Sequence, residues 1–185
     1  MSIFEFSSII VAIVVGLAIA NVLDKFSHTI KVTHWIKQGW FQSMLCLLVL
    51  IMMLGYFWGF WTMFYGFTEI GLLEFVLGPF VSITSLYLIS VFLPVPRLDQ
   101  NPNDIDDFFM EGRQPFYILM AVFILQSQLT ALYYPHTAPA ILVLTTIPLM
   151  FLGIRLKTIR SQKIALTGAT TLVFFIITST VITQT

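Results

Sequence analysis

The sequence predicts an all-α fold: a polytopic transmembrane bundle of six helices with both termini extracytoplasmic. Three observations lead there. Of 185 residues, 58% are hydrophobic and 10% charged, whereas an ordinary soluble domain carries about 25% charged residues to face water. The charge-free gaps match bilayer length, about 20 apolar residues per crossing. They run from Glu5 to Asp24, from Lys37 to Glu69, from Glu74 to Arg97, from Gln114 to Ile154 at double length, and from Ile164 onward. Finally, the cations fall in alternate links. Lys25, Lys31 and Lys37 follow helix 1, Arg97 and Arg113 lie between helices 3 and 4, and Arg155, Lys157, Arg160 and Lys163 lie between helices 5 and 6. With six spans these share one side, which the positive-inside rule makes cytoplasmic, leaving Glu5, Glu69, Glu74 and His136 outside.

One membrane domain covers residues 1–185, with helices at approximately 6–26, 40–65, 75–95, 114–134, 138–154 and 164–184, and a cytoplasmic acidic link at 97–113. In helix 1, Ala18-Ile-Ala20 has the form of a signal-peptidase site. No positive segment precedes it and Lys25 and Lys31 follow it, so the helix is read as a retained span inserted N-terminus outward. Its stripe Ser8, Ala12, Gly16, Ala20, Asp24, His28 repeats every four residues. Small residues at that spacing let another backbone approach closely. Gly55-x-x-x-Gly59 gives helix 2 a similar face. Helix 1 against helix 2, or either against a second copy in a homo-oligomer, is the expected packing.

Helix 2 ends in the aromatic run Gly55–Phe67. One reading is an interfacial belt: Trp40 and Trp61 are 21 residues apart, roughly 31 Å of helix and close to the hydrocarbon thickness. The other is an aromatic cage of Tyr56, Trp58, Trp61 and Tyr65 near Glu69, for a cation or an apolar ligand. The aromatic-belt rule favours the first. Helix 3 is expected to begin near Pro79, a residue suited to a first turn, and to stop at Leu93-Pro-Val-Pro96. Its hydroxyls Ser82, Thr84, Ser85, Tyr87 and Ser90 are expected to bond back to helix carbonyls. Tyr134-Pro-His-Thr-Ala-Pro-Ala140 suits a tight turn between helices 4 and 5. Pro148 should kink helix 5.

In the acidic link, Asn103 is placed to cap a short helix whose first turn carries Asp104, Asp106 and Asp107, favourable at the positive end of the helix dipole. Phe108 and Phe109 would then lie in the membrane surface, with Arg113 at the entrance to helix 4. The acidic residues lack the glycine and distal Glu of an EF-hand loop, so no metal is assigned. Asp24 and His28, four residues apart, suit a local pair. The lone Cys46 reads as a small buried hydrophobe.

Polar residues at depth are the candidates for chemistry: Asn21 in helix 1, and Gln126, Gln128 and Thr130 in helix 4. No carboxylate or base occupies the middle of a span, which weighs against a proton-coupled relay. Histidine boxes, H-E-x-x-H, G-x-S-x-G and phosphate-binding glycine loops are absent, so no enzyme, catalytic residue or cofactor is expected. Zero net charge argues against nucleic acid.

Gly16-Leu-Ala-Ile-Ala20, the Trp-rich second helix, Leu93-Pro-x-Pro96, Asp106-Asp-Phe-Phe109 and Arg113-Gln-Pro-Phe116 resemble a loose group of small six-helix bacterial membrane proteins of unassigned function. The resemblance implies a bacterial cytoplasmic membrane and brings no activity or site with it.

The expected function is a conduit or carrier for an ion or small solute. Asn21, Gln126, Gln128 and Thr130 would line its path, with Trp58, Trp61, Tyr65, Glu69 and Glu74 at an outer vestibule. The alternative is a non-conducting subunit or sensor that docks a cytosolic partner through Asp104, Asp106, Asp107, Glu111 and Arg113. A phosphatase reporter inserted in 97–113 should be inactive in a bacterial host, and one fused after Thr185 active; the reverse pattern would overturn this topology.

Overall fold

Lipid offers no hydrogen bonds, so a chain this apolar must satisfy its backbone within each segment, and helices do that. The computed structural model describes residues 3–33, 39–64, 71–95, 105–133, 151–168 and 170–171. Every regular element among them is helical: α1 (Ile3–Thr33), α2 (Trp40–Phe64), α3 (Leu72–Phe75), a π-helical turn (Val76–Phe80), α4 (Val81–Phe92) and α5 (Ile105–Tyr133). Helical residues follow at 151–155 (α6) and 159–168 (α7). Four stretches are long and apolar enough to cross a membrane: Glu5–Lys31, Trp40–Thr62, Leu73–Phe92 and Asp106–Ser127. They correspond to the first four expected spans. Most of the expected fifth and sixth spans, with the Tyr134–Ala140 turn and Pro148, lies outside the described residues.

α1 packs on both α2 and α4, and α4 packs on α5. The buried seam of α1 is Val11, Val15, Ala18 and Val22, spaced so that successive side chains return to one helix face. Facing it are Leu45, Val49 and Met53 of α2 and Ile83, Leu86 and Ile89 of α4, all buried in the same core as Phe116, Met120 and Phe123 of α5. Edge-on ring pairs tie α2 to α5: Phe41 with Phe109 at 5.0 Å and Tyr56 with Phe123 at 5.8 Å. Such geometry is favoured by the ring quadrupoles.

The structure corrects four expectations. The small-residue stripe does not mediate α1–α2 packing: Ala12, Gly16, Ala20 and Gly55 face outward, and a Cβ added at Gly16, Gly55 or Gly59 would meet nothing within 4 Å. Branched side chains fill the α1 seam instead, because dispersion contacts rather than water exclusion hold helices together in lipid. The third span begins at Leu72, not near Pro79, which lies inside it. The acidic segment and the fourth span are one helix, with Asp106 and Asp107 in its first turn and Pro115 within it. Phe109 is fully buried against Phe41 rather than lying in the membrane surface.

The α4 C-terminus is closed by a residue of α1. Lys25 Nζ donates to Val91 O at 2.6 Å and Leu93 O at 3.2 Å, the carbonyls on either side of the point where Pro94 and Pro96 stop the helix. The cation also lies at the negative end of the α4 dipole. Asn21 adds a bond to Ser90 Oγ at 3.1 Å one turn away. The expected Asp24–His28 pair forms at 3.3 Å, and Cys46 is buried.

The α6–α7 segment folds against the start of α5. Tyr117 Oη donates to Gln162 Oε1 at 2.8 Å, and Gln162 Nε2 donates to Gly153 O and, at 2.9 Å, to Leu156 O. Gln162 is fully buried, and this arrangement satisfies both ends of its amide. Gly153 is required by close approach: a Cβ there would lie 2.7 Å from Tyr117 Cζ. At the same end Lys163 pairs with Asp106 at 3.0 Å and lies 5.9 Å from the Phe41 ring centroid.

Tyr117→Phe should lower stability in detergent by about 1 kcal/mol or less. Gly153→Ala should cost more, because the Tyr117 ring must move. Thermal unfolding of purified variants checks the order; equal melting temperatures for wild type and Gly153→Ala would contradict the docking of α6 on α5.

Candidate functional site: the interrupted third span

Proline has no N–H and its ring crowds the carbonyl one turn earlier, so Pro79 inside an apolar span needs a local change of winding. The chain widens into a π turn at Val76–Phe80, with Val81 N–H reaching back to Val76 O. Single π turns within α-helices recur at functional sites. Three successive carbonyls here receive side chains from three helices. Gln126 Nε2 of α5 donates to Leu77 O and, at 3.5 Å, approaches Gly78 O. Ser82 Oγ of α4 donates to Gly78 O at 3.1 Å. Tyr56 Oη of α2 donates to Pro79 O at 3.2 Å.

Beside this knot lies a cavity of about 120 Å³, lined by residues of α2, the π turn, α4 and α5 that include Tyr56, Phe60, Gly78, Pro79, Ser82 and Ser127. A second cavity of about 380 Å³ lies at the opposite, basic end, where Asp24, Lys25, His28, Leu93, Phe108 and Gly112 are among its lining. Along α4, the fully buried Ile83, Leu86 and Ile89 lie between the two.

The structure distributes the expected site residues rather than gathering them. Gln126 braces the π turn, whereas Asn21 bonds to Ser90, 13 residues further along the same span, or roughly 20 Å away at helical rise. The side chains of Gln128 and Thr130 lie outside the described residues. Trp58 and Trp61 face outward at 70% and 42% exposed, as does Trp40 at 44%, as an interfacial belt requires. Tyr56 turns inward to Pro79, so Tyr56 and Trp58 do not share the face that a cage needs. Tyr65 and Glu69 lie outside the described residues.

Glu74 acts locally, its Oε2 accepting the Gly71 N–H at 3.2 Å, the return half of a capping box at the start of α3. At the basic end Asp106 is engaged by Lys163, and Arg113 Nη1 donates to Met110 O. Asp107 and Glu111 are exposed, and Asp104 lies outside the described residues. The helix-3 hydroxyls Ser82, Ser85 and Ser90 bond to carbonyls of their own span, as expected. Among the described residues no group of three or more His, Cys, Asp and Glu is arranged to hold a metal.

Sequence reasoning missed Tyr56 as a polar group of the site, along with Ser127. The signal for the first was present: Gly78-Pro79 within an apolar span needs external donors, and a tyrosine on a neighbouring span is one. Comparison with protein-family models, with curated proteins and with solved structures finds no match for this chain.

Gln126→Leu should destabilise the protein by about 1 kcal/mol, and Pro79→Ala should shrink that effect by restoring a regular helix. A double-mutant cycle on thermal unfolding should therefore show coupling of at least about 0.5 kcal/mol. Additive effects would mean that Gln126 does not serve the break.

Proposed function

We propose that this is a carrier for a small solute in a bacterial cytoplasmic membrane, with six spans and both termini outside, and that the cavity at the π turn is its outward-facing binding site. The observation that carries the reading is the interruption of the third span beside a mostly apolar cavity that also presents the hydroxyls of Tyr56, Ser82 and Ser127. Transporters place their substrate sites at such broken helices, where irregular backbone lines a cavity. A carrier is favoured over an open pore by the apolar Ile83, Leu86 and Ile89 between the two cavities. Solute would have to be passed by rearrangement of α4 against its neighbours. The outward Ala12, Gly16 and Ala20 leave a close-approach face for a second copy of the chain.

The partner-docking alternative has less support. Its central carboxylate, Asp106, is paired in cis with Lys163, and the remaining exposed Asp107 and Glu111 are ordinary for a helix start.

Purified protein in proteoliposomes should move at least one member of a panel of small amines, alcohols, amides and monovalent ions faster than empty vesicles do. Ser82→Ala should slow that movement several-fold while the protein stays folded. Monodisperse, folded protein that moves no member of the panel would overturn the reading.

A further inference from the structure

Resting on that reading, we infer that the cavity selects a small hydrogen-bond donor with a short apolar body, the chemistry of a short-chain primary amine in its ammonium form. The donors and acceptors of the lining decide this. The lining side chains that carry polar atoms are Tyr56, Ser82 and Ser127. All three hydroxyl protons are committed to carbonyls: Tyr56 to Pro79 O, Ser82 to Gly78 O at 3.1 Å, and Ser127 to Phe123 O at 2.8 Å. No lining side chain carries an N–H, and Pro79 has no backbone one.

What remains for a ligand is lone pairs on the three hydroxyl oxygens, because Gly78 O already accepts the Val81 N–H as well as Ser82 Oγ, and Pro79 O accepts Tyr56 Oη. A ligand offering N–H groups adds bonds without breaking any. One offering only acceptors must displace an existing bond and leave a buried carbonyl short of a partner, the costlier outcome. Carbonyl and hydroxyl oxygens at a broken helix are also the groups that receive cations in membrane proteins.

The rest of the lining is apolar and aromatic. Phe60 and Phe64 both line the cavity, with ring centroids 5.0 Å apart, and Tyr56 is the third ring. Their faces suit both an alkyl chain and the positive end of an ammonium group. The volume favours a short ligand. A cavity of about 150 Å³ holds benzene, so the 120 Å³ available here suits a ligand of about five non-hydrogen atoms. Propylammonium has the right length and the right head group.

The test uses the purified full-length chain, with isothermal titration in detergent and flux in proteoliposomes for the same compounds: propylammonium, tetramethylammonium, propionate and acetone. The expected result is that propylammonium binds, and binds at least about tenfold more tightly than the three compounds without an N–H donor. Gly59→Val should abolish binding, because a side chain at Gly59 enters open space beside the cavity without meeting a neighbouring atom at Cβ. Ser82→Ala, which removes one acceptor and little volume, should weaken propylammonium several-fold while the free protein stays folded, its melting temperature lowered no more than that of Gln126→Leu.

Preference for acetone or propionate, or equal binding of tetramethylammonium and propylammonium, would overturn the donor rule. So would propylammonium binding that survives Gly59→Val unchanged. Ser82-dependent flux of another solute, without propylammonium binding, would overturn the inference and leave the carrier reading standing. Absence of both binding and flux in folded protein would remove both.

Discussion

The constraint on which the structure depends is that backbone carbonyls in the hydrocarbon must find donors inside the protein. Regular helix meets it for most of the four described spans. It fails locally at Gly78-Pro79, where proline supplies no N–H, and the chain responds by widening into a π turn braced from α2, α4 and α5. The same constraint acts at the other end of that span. There Pro94 and Pro96 stop α4, and Lys25 of α1 supplies a donor to Val91 O and a second one to Leu93 O, which also accepts the Val95 N–H at 2.9 Å. The third span is thus held at both ends of its α4 portion by polar groups from other helices. The apolar residues between, Ile83, Leu86 and Ile89, pack in the core. Polar pairing fixes register, and van der Waals packing fills what lies between the pairs.

Within this frame several polar residues have structural roles. Gln126, attractive as a solute ligand by type and depth, completes a broken helix, and Glu74, expected at an outer vestibule, caps a short one. Asp106 is held by Lys163, and Gln162 closes the α6–α7 turn against Tyr117. Gln42 and Ser43 are exceptions: both are buried near the start of α2, and among the described residues neither the Gln42 amide nor the Ser43 hydroxyl has a hydrogen-bond partner. Near the π turn, the completed bonding pattern is itself informative. It uses up the hydroxyl protons and leaves a mostly apolar, aromatic cavity whose few polar side-chain atoms can only accept.

Much of this is legible in the chain, and the limits have physical causes. The first four spans can be read because membrane burial excludes charge over about 20 residues, a pattern visible without any contact. Asp24 with His28, and the hydroxyls bonded within their own helix, are legible because their partners lie one turn away. Long-range partners are not. Nothing local distinguishes Lys25 as a cap for α4 from Lys25 as one more cation beside the membrane. Proline costs least at a helix start, so local rules put Pro79 there; its place inside a span depends on Tyr56 and Gln126, far off in the chain. The small-residue stripe of α1 is visible, but which way it faces is decided by the better packing of the Val11, Val15, Ala18, Val22 seam. Phe109 reads as interfacial until Phe41 is known to cover it.

The central claim is that the third span is broken at depth and mended by its neighbours. Labelling leucine with carbonyl ¹³C and glycine with ¹⁵N isolates, by NMR, the Leu54–Gly55, Leu77–Gly78 and Leu152–Gly153 peptides of this sequence. The Leu77 carbonyl should resonate downfield of Leu54, which lies in regular helix, because it accepts the Gln126 amide, and that difference should vanish in Gln126→Leu. Leu77 and Leu54 carbonyls with the same shift, unmoved by the substitution, would contradict the account.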